Sequence, residues 1–220
     1  KTRMMQRITH EFRTPLSVIQ TASESLAHYH DRLTDDQRSL KVNRIMVAIR
    51  RVTDMLDEIG MVIKGTFTPD RIHKIPTDLS HLCREAAAEI ETTFDLPDKF
   101  VLDLPETVHA PVDPQVLKDA LAHIMRNAAR FSKPADPVHV LLTPHEQAIE
   151  IRVTDTGIGI LPQELARIFE PFFRGSNIGE INGLGVGLPI ARAAIEAHNG
   201  TIRVESLPNQ GTTVTILLPF

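Results

Sequence analysis

Ile8-Thr9-His10-Glu11-Phe12-Arg13-Thr14-Pro15-Leu16 is the stretch on which the fold turns. Taken as a helix, Ile8, Phe12, Leu16, Ile19, Ser23 and Leu26 fall on one stripe of helical period. His10 stands roughly 200° around the helix from Ile8, at roughly 100° per residue. Thr14, four residues on, shares the face of His10. The spacing predicts a helix from Thr2 to His28 that holds an imidazole in water, with a hydroxyl one turn on and the Glu11 carboxylate beside it. On its own this pattern describes any solvent-facing histidine on an amphipathic helix. The downstream motifs give it chemistry.

A polar turn, His30-Asp31-Arg32-Leu33-Thr34, leads out of this helix. Thr34-Asp35-Asp36-Gln37 reads as a cap and first turn, with Gln37 at the capping-box position. A long helix follows to Lys64, with Val42, Ile45, Ile49, Val52, Leu56, Ile59 and Ile63 at alternating steps of three and four, the seam of a bundle. Residues 1–64 therefore read as a helical hairpin. Two helices bury too little apolar surface to stand alone, whereas two hairpins side by side make a four-helix bundle, so a homodimer is expected. Packing of the hairpin on the rest of its own chain is the alternative.

Gly65 to Pro76 carries Gly, Pro and Thr without periodicity and reads as a linker, leaving residues 77–220 as a second domain. There, helices are expected over Leu79–Phe94, Asp113–Phe131 with Pro114 in its first turn, and Gly185–His198 closed by Asn199-Gly200. Strands are expected over Lys99–Leu104, Val138–Leu142, Ala148–Val153, Thr201–Glu205 and Thr212–Leu218, the last two paired. The elements mix without a regular βαβ alternation, which predicts an α/β sandwich and an α+β multidomain chain.

Composition narrows the function classes. The 220 residues are 42% hydrophobic and 24% charged with a net charge of -4, which offers no strong field for nucleic acid or an acidic membrane surface. The single cysteine, Cys83, rules out an internal disulfide and points to a reducing compartment and a core role. No apolar run reaches the ~20 residues of a membrane span. The chain opens at Lys1, close to the helix of His10, and reads as a cytoplasmic fragment of a longer protein whose upstream part includes, as one option, a membrane anchor.

Four further stretches carry candidate chemistry, each weak alone. Asp155-Thr156-Gly157-Ile158-Gly159 follows a strand, so a buried carboxylate there is placed to accept the exocyclic amine of adenine, with glycines allowing close backbone approach. Gly183-Leu184-Gly185-Val186-Gly187-Leu188 opens a helix whose N–H groups suit phosphate. Its GxGxG spacing is neither the dinucleotide GxGxxG nor a P-loop. His123, Asn127 and Arg130 share a helix face. A neutral amide oxygen suits magnesium already carrying phosphates and waters, and an arginine suits phosphate oxygens. Ile168-Phe169-Glu170-Pro171-Phe172-Phe173-Arg174 precedes Gly175 to Gly183, a stretch of lid-like composition.

In order along the chain, His-Glu-x-x-Thr-Pro, HIMRNAARFS, DTGIGI, IFEPFFRG, GLGVGL and NQGTTVTILLP resemble the motif set of the sensor histidine kinases of two-component systems, over nearly its whole length. The resemblance implies a HisKA-type dimerisation and phosphoacceptor hairpin joined to a Bergerat-type ATP-binding domain, and the activity of a protein-histidine kinase using ATP and Mg2+. It implies that His10 is phosphorylated, that Glu11 is its acid/base partner, and that Thr14 positions water when the kinase acts as a phosphatase. Asn127 holds magnesium in this reading. Arg130 and Phe131 line the nucleotide site, and Arg174 joins it from the phenylalanine-rich motif. Asp155 binds adenine beside Gly157 and Gly159, Gly185, Gly187 and Leu188 close over phosphates, and Thr212 sits near the base. The implied partners are a second copy of the hairpin and the receiver aspartate of a separate response regulator, with no nucleic acid and no membrane contact within this fragment.

The chain departs from the family at His123, where Asn is usual, and Phe131 stands where Tyr is common. In related ATPases that hydrolyse ATP, position 123 resembles a water-activating Glu. A Bergerat-type ATPase, or a nucleotide-binding dimerisation module without kinase activity, is the competing reading. The intact His10 and Asp155 motifs count against the module, and the missing Glu at 123 together with the phosphoacceptor hairpin counts against the ATPase.

Overall fold

The computed structural model describes residues 2–29, 32–64, 67–179 and 183–219. The expected turn at His30-Asp31, the linker residues Gly65 and Thr66, residues 180–182 of the lid-like stretch and the Ile63 side chain lie outside the described residues. The chain divides into two compact units, Lys1–Lys64 with Glu180–Leu184, and Gly65–Gly179 with Gly185–Phe220.

The first unit is a pair of helices, α1 (Thr2–His28) and α2 (Asp35–Lys64). The capping box at the start of α2 is formed in both directions. The Gln37 backbone N–H donates to Thr34 Oγ1 at 3.3 Å, and the Thr34 N–H donates to Gln37 Oε1 at 3.1 Å. The apolar seam is divided rather than shared. Ile45, Val52 and Ile59 are half-buried and Ala48 and Met55 are buried, whereas Val42, Ile49 and Leu56 are 50%, 44% and 57% exposed. On α1 the buried positions are Glu11, Pro15 and Ala22, Leu16 is 52% exposed, and Ser23 is exposed. The expected α1 stripe is thus turned by about one residue, because Pro15 and Ala22, small enough for close approach, take the face toward α2.

The second unit is a two-layer sandwich. Its strands are β1 (Ile75–Asp78), β2 (Phe100–Asp103), β3 (His109–Val112), β4 (Val138–Pro144), β5 (Ala148–Asp155), β6 (Thr201–Leu207) and β7 (Gly211–Pro219). Five of them form a sheet in the order β2-β4-β5-β7-β6, parallel only between β2 and β4. Its helices are α3 (Leu79–Phe94), α4 (Pro114–Phe131) and α5 (Gly187–Ala197). Alternate strand residues Val138, Val140, Ile149, Ile151, Val153, Ile216 and Leu218 face Leu79, Leu117, Leu121, Ile124, Met125 and Ile195 of the helices, all nearly solvent-free. Cys83 lies in this core, and burial pushes its thiol up to about 12, so it is unreactive.

Two strands escaped the sequence reading. Ile75 and Pro76, read as the end of the linker, belong to β1, which pairs antiparallel with β3, Pro76 opposite Pro111. Four-residue segments that each contain proline show no alternation and lack an N–H. The pairing is legible only once both are in place. The last helix begins at Gly187, not Gly185, because Gly185 has φ +72. Its end is the expected cap, with Asn199 rather than the glycine in the left-handed region. Asn199 N–H returns to Glu196 O and Gly200 N–H to Ile195 O, both at 2.9 Å.

The cap at the start of α2 is open to measurement. Thr34→Ala removes one of its two bonds and is expected to lower stability by about 1 kcal/mol. An unchanged urea midpoint would show that the box is not formed in solution.

Candidate functional site

On the hairpin, His10 and Thr14 are both exposed, and the Thr14 hydroxyl donates to the His10 carbonyl at 3.4 Å. They share a face, as the i, i+4 spacing requires. Glu11 is turned otherwise. It is 5% exposed, with Oε2 at 3.4 Å from Arg51 Nη2 of α2. The carboxylate is thus anchored to the neighbouring helix, a partner invisible in the sequence.

In the second unit the candidate residues gather along α4. At its middle, a methyl group on Gly187 would lie 3.3 Å from His123 Nδ1 and 3.7 Å from Asn127 Nδ2, so the start of α5 sits directly over both side chains. Val186, before that start, supplies no side-chain cap, leaving the first N–H groups of α5 for a ligand. At the end of α4, a methyl group on Gly157 would lie 2.3 Å from the Phe131 carbonyl oxygen. The turn after β5 therefore rests on the last residue of α4. His123 and Phe131 are eight residues apart, roughly 12 Å along the helix axis. One helix thus joins the start of α5 to the Asp155 turn.

Asp155 ends β5 opposite Thr212 of β7 and is 7% exposed. Its Oδ1 accepts the Gly157 N–H at 2.8 Å. Burial raises its pKa, while hydrogen bonds from the Gly157 and Thr212 backbones and the charge of Lys99 oppose that rise. Gly159, with φ +64, would drive a methyl group to 2.0 Å from the Leu207 carbonyl oxygen. The close approach expected of Gly157 and Gly159 is thus to the protein's own backbone, where it seats the turn between α4 and the β6–β7 connection. Thr212 Oγ1 lies 2.9 Å from Ser206 Oγ, which also receives the Ile160 N–H at 2.9 Å.

The phenylalanine-rich motif reaches the same end of α5. The Phe172 N–H donates to the Gly185 carbonyl at 2.9 Å, and a methyl group on Gly185 would meet the Phe173 carbonyl oxygen at 2.3 Å and Arg174 Cγ at 3.2 Å. Leu188, one residue into α5, is half-buried and packs on the core. Arg130 is exposed, and Phe131 and Asn127 are half-buried. Among the described residues no group of three or more His, Cys, Asp or Glu side chains could hold a metal. A magnesium ion here would depend on Asn127 and on oxygens of the nucleotide, which fits a weakly dehydrated ion better than an all-protein cage.

Three residues were missed. Gly211 lies within the quoted NQGTT stretch, and a methyl group on it would come to 1.9 Å from the Asp155 carbonyl oxygen. A glycine after a polar turn was the available signal. Lys99 and His198 carried none. His198 is 2% exposed, receives the Asp113 N–H on Nε2 at 2.9 Å and lies 2.7 Å from the Ala194 carbonyl through Nδ1, tying α5 to the start of α4.

His123 is 9% exposed, and Arg126 Nη2 lies 2.9 Å from its Nδ1. Burial first, then the Arg126 charge, lower its pKa to about 3. The ring is therefore neutral across physiological pH and accepts from arginine on Nδ1. Since the unfolded ring takes a proton near ~6.5, the unfolded state binds more protons between there and about 3, and stability falls as pH falls through that window. His123→Asn is expected to remove a slope of at most about 1.4 kcal/mol per pH unit in acid. Urea midpoints of both proteins measured at several pH values check this, and identical slopes would mean that the ring titrates normally.

Residues 1–61 match the His Kinase A (phospho-acceptor) domain family, and residues 112–220 match the histidine kinase-, DNA gyrase B- and HSP90-like ATPase family. The sensor-like histidine kinase SenX3 of Mycobacterium tuberculosis is 30% identical over 217 residues, 96% of this chain and 52% of that protein. The solved mycobacterial sensor histidine kinase MprB is 28% identical with a TM-score of 0.61, over 66% of this chain and 97% of that one. The histidine kinase AdeS of Acinetobacter baumannii shares the fold across 96% of this chain and 97% of its own, with a TM-score of 0.67 at 22% identity. This chain spans about half the length of the curated relatives it matches. With a phosphoacceptor hairpin and an ATP-binding sandwich in that order, the chain belongs to the sensor histidine kinases of two-component systems.

Proposed function

We propose that this chain is a kinase core that phosphorylates itself on His10 from ATP and passes the phosphoryl group to an aspartate of a separate response regulator. The observation that carries the reading is the assembly along α4, with Asn127 beneath the uncapped start of α5 and Phe131 beneath the Asp155 turn. A nucleotide laid along that helix has its amine at Asp155 and its phosphates at Asn127 and the N–H groups of α5. Arg130 and Arg174 lie beside the same elements and contribute positive charge. Gly185, Gly187 and Leu188 shape the phosphate end, and Gly157, Gly159 and Thr212 the base end.

In the reaction, a lone pair on a ring nitrogen of His10 attacks the γ-phosphorus, an N–P bond forms, the bond to the bridging oxygen breaks, and ADP leaves. Neutral imidazole is the nucleophile, and Glu11, on turning from its anchor at Arg51, would hold the N–H of the other ring nitrogen as positive charge develops. Mg2+, when bound, neutralises charge on the phosphates. Asn127 would offer a neutral oxygen suited to holding it there. Positioning does most of the rest. Thr14, on the face of His10, orients the water that hydrolyses the regulator's phosphoaspartate and releases inorganic phosphate in the phosphatase duty. A free-standing ATPase fits less well, because position 123 holds a buried neutral imidazole and not a carboxylate that activates water.

The partner on the hairpin is a second copy. Val42, Ile49 and Leu56 repeat every seven residues on α2 and stay exposed, as does Leu16, which leaves an unfilled seam of bundle type. No described helix is long and apolar enough to cross a membrane, and the reading is of a core working in the cytoplasm with its regulator.

Incubation with labelled ATP should give acid-labile, base-stable label on the protein. His10→Gln should abolish it with nucleotide affinity intact, and retained label would move the acceptor elsewhere. Thr14→Ala should spare labelling and lower phosphatase activity toward the regulator, whereas equal loss of both would reduce Thr14 to helix support. Ile49→Glu should convert a dimer to a monomer by light scattering, and an unchanged mass would place the interface on another surface.

A further inference from the structure

Lys99 is 3% exposed, and its Nζ donates to the carbonyl oxygens of Lys133 and Asp136 at 2.7 Å each. Those carbonyls belong to the turn that follows α4. The Asp136 side chain in turn accepts the Thr156 hydroxyl at 3.1 Å, and Thr156 is the residue between Asp155 and Gly157. A lysine is rarely this buried, since an ammonium group in an apolar interior loses its hydration and needs partners. Here the partners are two carbonyl dipoles and the negative charges of Asp136 and Asp155. The charged group bearing on Asp155 from the packed elements is Lys99, and on β7 its neighbours Thr212 and Thr213 are neutral.

We propose that Lys99 is a positioning residue of the nucleotide site: its buried ammonium pins the turn that braces Thr156 and brings positive charge to the buried Asp155 that accepts the adenine amine. The inference rests on the nucleotide reading of Asp155. A protonated Asp155 loses its charge-assisted bond to the amine. Without Lys99 the Gly157 and Thr212 hydrogen bonds still oppose burial but that charge does not, which shifts proton uptake by Asp155 toward higher pH.

The test is ADP affinity by calorimetry in the presence of magnesium from about pH 5 to 8, above the reference carboxylate range. It compares the parent with Lys99→Gln, Lys99→Met, Lys99→Arg and Asp155→Asn, with thermal melts to confirm folding. Lys99→Gln drops the charge and leaves a neutral donor on a shorter side chain. It is expected to match the parent near pH 8 and, as pH falls, to lose affinity at a higher pH than the parent does. Lys99→Met, if folded, should show the same shift with weaker binding throughout, and Lys99→Arg should keep the parent's midpoint. A folded Lys99→Gln variant with the parent's pH profile, or with a uniform loss at every pH, overturns the charge role. Parent-like affinity in Asp155→Asn would instead overturn the adenine reading itself.

Discussion

The contact of Gly157 with the Phe131 carbonyl is the constraint on which the second unit's site depends. A single methyl group there would lie 2.3 Å from that oxygen and 2.8 Å from Asp155 Oδ1. The turn after β5 can therefore meet the end of α4 only as bare backbone. Close packing transmits this outward, because a dense interior leaves no slack for one element to shift alone. Gly159 is held against Leu207 and Gly211 against Asp155 in the same way. The Asp155 turn, the end of α4 and the β6–β7 connection form one interlocked corner.

Around that corner the unit buries several ionisable groups and satisfies each by a different device. Lys99 uses carbonyl dipoles, Asp155 uses backbone N–H groups and a distant cation, and His123 and His198 stay neutral and act as acceptors for an arginine and a backbone N–H. Each device suits the cost of removing the group from water, which is largest for a full charge and smallest for an imidazole that can shed its proton. The corner thereby holds a nearly buried carboxylate among groups that are each partnered within the protein.

The hairpin follows a different economy. Its interior is narrow, with Ala22, Ala48, Pro15 and Met55 at the centre, and its apolar surface exceeds what two helices can cover. Half of the seam on α2 remains in water. That surplus stands beside an exposed His10 on the adjoining helix, so the imidazole stays accessible while the structural burden falls on apolar stripes.

Much of this was legible in the amino-acid sequence because it depends on local periodicity. The extents of α1 and α2, the capping box at Thr34 and Gln37, the Pro114 start of α4, the Asn199-Gly200 end of α5 and the pairing of the last two strands all follow from residues within one or two turns of each other. The placing of His10 with Thr14 is likewise a matter of helical spacing. Tertiary structure alone decided the pairing of β1 with β3, the division of the α2 seam, the anchoring of Glu11 by Arg51, the burial of His123, and the position of Lys99 beside a turn more than thirty residues away. These rest on contacts between distant segments, whose partners no local pattern encodes, and on burial, which changes the chemistry of a side chain without changing its name.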